Sequence, residues 1–175
     1  PFGFRAPESM VADIVHNLPD SQGYSDSRGI YSARTAVAQY YQSRGLTETG
    51  VDDVFIGNGV SELISMVLQA FVDDGNEILV PAPDYPLWTG AVSLSGGTPV
   101  HYRCDENNGW NPDLEDIESK VTPNTHAIVI INPNNPTGAV YSPETVRALV
   151  DIARRHDLVV MAAAMYEQLL SHDDV

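Results

Sequence analysis

Three short stretches of the chain carry residue types able to do chemistry, and each follows a run of β-propensive residues. The first, Ile56-Gly-Asn-Gly-Val-Ser-Glu62, sets a glycine turn between an apolar run and an amphipathic helical pattern. Such a turn leaves backbone N–H groups at the start of a helix, where the aligned peptide dipoles favour an anion such as phosphate; Ser61 adds a hydroxyl. Alone, it is neither a G-x-G-x-x-G fingerprint nor a P-loop, and a plain tight turn explains it equally well. The second, Pro81-Ala-Pro-Asp-Tyr-Pro-Leu-Trp88, has three prolines that stiffen the chain and hold Tyr85 and Trp88 in fixed directions. A ring held in this way can stack on a flat ligand; core packing explains either ring as well. The third, Ile130-Ile-Asn-Pro-Asn-Asn-Pro-Thr-Gly138, locks Asn132, Asn134 and Asn135 among prolines after a buried strand. Strand C-termini are where open α/β sheets bind ligands, although asparagine is also an ordinary turn residue.

The elements that must position these stretches alternate. Strands are expected at Asp53–Ile56, Glu77–Val80, Thr98–Tyr102, Ala127–Ile131 and Leu158–Met161, several of them apolar without alternation, as in strands covered on both faces. Between them, Val60, Leu63, Ile64, Val67, Leu68 and Phe71 keep helical spacing, and Gly75 punctuates the end. Ser142 followed by Pro143 predicts an N-cap with proline at the first helical position, and Val146, Leu149, Val150 and Ala153 supply that helix's apolar face. A further helix is expected from near Gly29 to Arg44, closed by Gly45. The alternation argues an α/β fold with a mainly parallel sheet.

Composition narrows the function classes. The 175 residues are 43% hydrophobic and 19% charged, enough for a real core. A net charge of −15, from 24 acidic against nine basic residues, repels phosphate backbones and anionic lipid, so neither nucleic acid nor a membrane is an expected partner. Cys104 is the single cysteine, which excludes an internal disulfide and a cysteine metal cage; a cytoplasmic setting is expected. Lys120 is the only lysine, so any mechanism needing a lysine nucleophile has one candidate here or none.

Taken in order and spacing, Gly57-Asn-Gly-Val-Ser-Glu62, Pro83-Asp-Tyr-Pro-Leu-Trp88 and Asn132-Pro-Asn-Asn-Pro-Thr-Gly138 resemble the class I, fold type I aminotransferases that use pyridoxal 5′-phosphate. Gly23-Tyr-Ser-Asp-Ser-Arg-Gly-Ile-Tyr-Ser-Ala-Arg34 is most similar to the bacterial alanine aminotransferases. The resemblance implies a three-layer α/β/α large domain, incomplete here, over residues 46–175. Residues 1–45 are expected to pack on it and at a dimer interface. It implies that Gly59, Val60 and Ser61 hold the cofactor phosphate, Tyr85 stacks on the pyridine ring, and Asn135 and Tyr166 contact its phenolic oxygen. Tyr24 matches a tyrosine that reaches the phosphate in the partner subunit, hence an expected homodimer. The reaction implied moves an amino group between alanine, or a similar amino acid, and a 2-oxo acid such as 2-oxoglutarate.

Two departures qualify that reading. Where the family ends a strand on Ala-Asp-Glu-Ile-Tyr, this chain has Ala162-Ala-Ala-Met-Tyr166, so the aspartate that pairs with the pyridine nitrogen falls at Ala163 and the glutamate at Ala164. The family's Schiff-base lysine and its small-domain arginine are expected beyond Val175, and Lys120 belongs to an expected surface helix. No catalytic residue is therefore expected within the chain, which alone is expected to be inactive. The alternative is a degenerate aminotransferase-like domain that binds a ligand or regulates without catalysis.

Overall fold

The computed structural model describes residues 5–164, and the chain divides into two compact units, Pro1–Gly57 and Asn58–Val175. Tyr166 lies outside the described residues.

In the first unit, helix α1 spans Glu8–Asn17 and α2 spans Tyr31–Ser43. Helix α2 stops where expected, with Arg44 as C-cap and Gly45 at φ +100°, a conformation that favours glycine. Helix α1 was not expected: it buries no residue, and Met10, Val11, Ile14 and Val15 are exposed along it. The expected strand at Asp53–Ile56 does not form. Val51–Asp53 is a 3₁₀ turn, Phe55 and Ile56 are exposed, and the Ile56 N–H reaches a single carbonyl, that of Arg28, at 2.9 Å. Strand propensity without a neighbouring ladder leaves only irregular extended chain. Arg34 is 3% exposed, its guanidinium donating to the carbonyls of Gly29 and Val51, both at 3.1 Å. It thereby fixes the end of the loop that carries Tyr24.

The second unit is a five-stranded sheet: β1 Glu77–Ala82, β2 Thr98–Asp105, β3 Asn111–Pro112, β4 Thr125–Ile131 and β5 Val159–Ala163, ordered β3-β2-β1-β4-β5. All pairings are parallel except the short antiparallel β2–β3 contact. Helices α3 Val60–Phe71 and α4 Leu87–Leu94 pack on one face, and α5 Leu114–Lys120 and α6 Pro143–Arg155 on the other. Successive strand residues point to opposite faces. Ile78, Val80, Ala127, Val129, Ile131 and Met161 thus join the α3/α4 core, while Leu79, Ile128 and Ile130 join the α5/α6 core. This explains the unbroken apolar runs: both faces are covered. Each fully buried leucine or isoleucine contributes about 1.5–3 kcal/mol. Helix α6 starts as its sequence predicts, with Ser142 Oγ accepting from the Thr145 N–H at 3.2 Å and Pro143 in the first turn.

Candidate functional site

The sheet grows from β1 in both directions, to β2 on one side and to β4 on the other. The C-terminal ends of β1 and β4 therefore form the switch point at which open α/β sheets take their ligands. The segments leaving those two ends are the Tyr85 loop and the asparagine loop.

Gly59 is the N-cap of α3, with φ +86° and ψ 171°, a region accessible essentially to glycine alone. A Cβ placed there would meet nothing within 4 Å, so the backbone conformation and not crowding demands the glycine. No side chain caps the helix, and Val60 and Ser61 sit in its first turn, where N–H groups have no intrahelical acceptor. Glu62 bends back so that its carboxylate accepts the Asn58 N–H, bracing the turn from outside the helix.

Tyr85 is half-buried and packs against the α3/α4 core, together with Val60 and Ala163. Its loop is anchored by Asp84, which accepts from the Thr89 hydroxyl at 2.8 Å; that hydroxyl lies 2.8 Å from His101 Nε2. Trp88, left open between stacking and core packing, is inside α4 and buried in the core. Three prolines had concealed a helix that begins immediately after the last of them.

The three asparagines divide sharply in role. Asn132 Oδ1 accepts from the Tyr141 N–H at 2.9 Å, and the Asn132 N–H donates to the Ala163 carbonyl at 3.1 Å. Asn134 is fully buried: Oδ1 accepts from Thr137 Oγ1 at 3.1 Å and from the Thr137 N–H at 3.3 Å, while Nδ2 donates to Tyr141 Oη at 3.3 Å. These two amides are internal struts. The Asn135 amide, half-buried, has no hydrogen-bond partner among the described residues.

Ala163 ends β5 paired with Ile131, and its side chain is on the α3/α4 side of the sheet with Val60 and Tyr85. Ala164 follows, exposed. Three expected positions, Val60, Tyr85 and Ala163, thus pack on one core on one side of the sheet, with Gly59 and Ser61 flanking Val60 in the chain and the asparagine loop tied to Ala163 through its backbone. Tyr24 belongs to the first unit and is fully exposed. Lys120 is committed elsewhere: Nζ donates to the His101 carbonyl at 2.7 Å and to Asp116 at 2.6 Å. A cavity of about 560 Å³ lined by Asp105, Asn111, Asp113 and Ser142 includes none of the expected positions. Tyr141 is the participant that sequence reasoning missed. Its burial pushes its phenol pKa well above the ordinary value, but nothing local in sequence announces its contact with Asn134.

Residues 6–174 match the family model for aminotransferases of class I and II. The glutamate-pyruvate aminotransferase AlaA of Escherichia coli strain K12 is 58% identical over 173 residues, which cover 99% of this chain and 43% of that protein. The alanine aminotransferase of Mycobacterium tuberculosis strain H37Rv is 57% identical over 174 residues, covering 99% of this chain and 41% of that protein. Among solved structures, an aminotransferase from Escherichia coli superposes with a TM-score of 0.96 at 57% identity, covering 99% of this chain and 43% of that one. An alanine aminotransferase from Pyrococcus furiosus does so at 0.90 and 37%, covering 95% and 42%. The chain spans less than half the length of these relatives. Its motifs, its sheet and its relatives agree, and the chain belongs to the class I and II aminotransferases.

Proposed function

We propose that this chain is the cofactor-binding part of a pyridoxal-phosphate-dependent aminotransferase acting between alanine, or a similar amino acid, and 2-oxoglutarate, in a cytoplasmic homodimer. The observation that carries the reading is the convergence of the α3 first turn, Tyr85 and the asparagine loop at the β1/β4 switch point in a member of this family. The names of the relatives, glutamate-pyruvate and alanine aminotransferase, support the substrate pair.

The residues fit pyridoxal phosphate in three respects. Gly59, Val60 and Ser61 offer uncapped amides and a hydroxyl to its phosphate, and charge-assisted hydrogen bonds of that kind are strong. Tyr85 offers a ring face. Asn135 offers an amide without a hydrogen-bond partner among the described residues, suited to the phenolic oxygen. Tyr24 is assigned to the phosphate of a partner subunit, and its full exposure accords with that role. Tyr166, outside the described residues, is assigned to the phenolic oxygen by its motif.

The fit fails at the ring nitrogen. When bound, pyridoxal phosphate supplies an electron sink for a carbanion at the amino acid's α-carbon, and a carboxylate beside the ring nitrogen sustains that sink. Position 163 offers a methyl group instead. Lys120, engaged by Asp116, is not positioned by any feature of its surroundings to hold the cofactor. We therefore assign binding, and no turnover, to this chain alone.

The experiment is equilibrium dialysis with pyridoxal phosphate, then borohydride reduction and peptide mass mapping. Reversible binding with no site-specific adduct is expected. A stoichiometric adduct on Lys120 would overturn the assignment of that residue. No binding by a folded sample would favour the second reading, for which Ala163 is the specific observation: an aminotransferase-like domain that recognises another ligand or partner without catalysis.

A further inference from the structure

We infer that Asn134 and Tyr141 form a positioning pair that sets the Asn135 amide for its ligand; the inference rests on the ligand role proposed for Asn135. Asn134 is wired through both its backbone and its side chain. Its N–H donates to the Ala139 carbonyl and its carbonyl accepts from the Gly138 N–H, each at 2.8 Å. Its amide then spans from Thr137 on one side to Tyr141 Oη on the other. Asn135 follows directly in the chain, so the peptide that carries its side chain starts from the most constrained point of the loop.

Tyr141 closes the arrangement from the core. The residue is 4% exposed and packs in the α5/α6 cluster. Its backbone N–H holds Asn132 and its phenol holds Asn134, so one residue clamps both struts of the loop. Burial pushes the phenol pKa up and keeps it neutral; Cys104 Sγ lies 3.9 Å from Tyr141 Oη, and either atom can be the donor. The phenol oxygen is then available to accept from Asn134 Nδ2. The Thr137 N–H, which can only donate, requires Oδ1 at its end of the Asn134 amide and so leaves Nδ2 for the phenol, because an amide has donors at one end only. A rotated Asn134 would set Nδ2 against the Thr137 N–H, donor facing donor, and no buried side-chain nitrogen or oxygen is unpaired among the described residues.

The test compares the chain carrying Tyr141→Phe, Asn135→Ala and both changes, using pyridoxal phosphate as the probe together with amide hydrogen exchange. Each single change is expected to weaken binding about three- to tenfold, the weight of one hydrogen bond. The double variant is expected to stay within about twofold of the weaker single one, because both changes act through the same amide. In Tyr141→Phe, the Thr137 and Gly138 N–H groups should exchange faster while β1 keeps its protection, and the Asn135 side-chain amide resonances should broaden. Losses that multiply, or an unchanged Asn135 amide signal, would overturn the inference. If the unsubstituted chain fails to bind pyridoxal phosphate, the functional reading falls and the resonance and exchange data alone decide the positioning. If Tyr141→Phe does not fold, Thr137→Val removes the hydroxyl at the opposite end of the Asn134 amide and puts the same lock to the same measurements.

Discussion

The backbone N–H of Asn132 donates to the carbonyl of Ala163 at 3.1 Å, tying the first residue of the asparagine loop to the last residue of β5. The side chain at 163 meanwhile packs on the same core as Tyr85 and Val60. A change at 163 is therefore felt at the site through its side chain, while its backbone keeps the neighbouring loop in register.

Ala163→Asp follows from that geometry. In the unliganded chain a carboxylate at this half-buried position should lower unfolding free energy by about 1–3 kcal/mol, since it is partly desolvated without a partner. Under the proposed function, pyridoxal phosphate supplies the partner, so thermal stabilisation by the ligand should be larger in the variant. In a longer protein that supplies the family lysine, transamination should rise by orders of magnitude. Equal ligand stabilisation in both proteins would mean that position 163 does not face the ring nitrogen.

Gly59→Ala separates backbone from contact effects. The space around the added methyl is empty, so the cost should come from the φ and ψ values alone, about 1–3 kcal/mol in a denaturant titration. Relaxation of the turn should also displace the first-turn amides and weaken binding of pyridoxal phosphate. A variant as stable as the parent would show that the turn adopts another conformation in solution.

Acid should loosen α5. Asp113 caps that helix, accepting from the Glu115 and Asp116 N–H groups at 3.1 Å, and its bond to the Arg103 guanidinium holds its carboxyl below the usual aspartate range. A lowered folded pKa means that this stabilisation is complete above about pH 4 and is lost as pH falls through the folded value. Asp113→Asn keeps a capping oxygen and should flatten the acid limb of the stability curve. Asp113→Ala should lower stability at neutral pH as well, since the cap itself is lost. Parallel acid limbs for Asn and the parent would remove the Arg103 pairing from the account.

Self-association is expected despite the charge of −15. Met10, Val11, Ile14 and Val15 on α1, and Met66, Val67 and Phe71 on α3, are exposed apolar side chains on helices that bury more elsewhere or nothing at all. Sedimentation velocity at several concentrations should reveal dimers or larger species, increasing with salt as repulsion is screened. A sharp, concentration-independent monomer would count against the homodimer and favour an independent binding domain.

Much of the fold was legible because it was written in local patterns. The spacing of Ile64 and Leu68 announced α3, Ser142-Pro143 announced α6, and unbroken apolar runs announced strands covered on both faces. Asp53–Ile56 misled for a physical reason: propensity is local, but a ladder needs a neighbour, and no strand among the described residues pairs with that segment. Trp88 stayed open between stacking and packing because prolines before a helix look like a stiff loop until the chain after Pro86 is seen to coil. The resemblance singled out Asn135 in the asparagine loop but gave no role to Asn132 and Asn134. Asn132 and Asn134 differ from Asn135 through Tyr141, whose approach depends on how the loop closes in space.

The order of the sheet also bears on how the molecule is made. Among the five described strands β1 is central and precedes the other four in the chain, yet its two neighbours arrive at different times. β2 follows after a single helix, whereas β4 emerges only once β2, β3 and α5 have all left the ribosome. Throughout that interval one edge of a strand built around Ile78, Leu79 and Val80 is without its ladder, in a nascent chain whose parallel pairings must wait for distant sequence. The second edge of β1, rather than any finished surface, is thus the point at which this chain most depends on being shielded during synthesis.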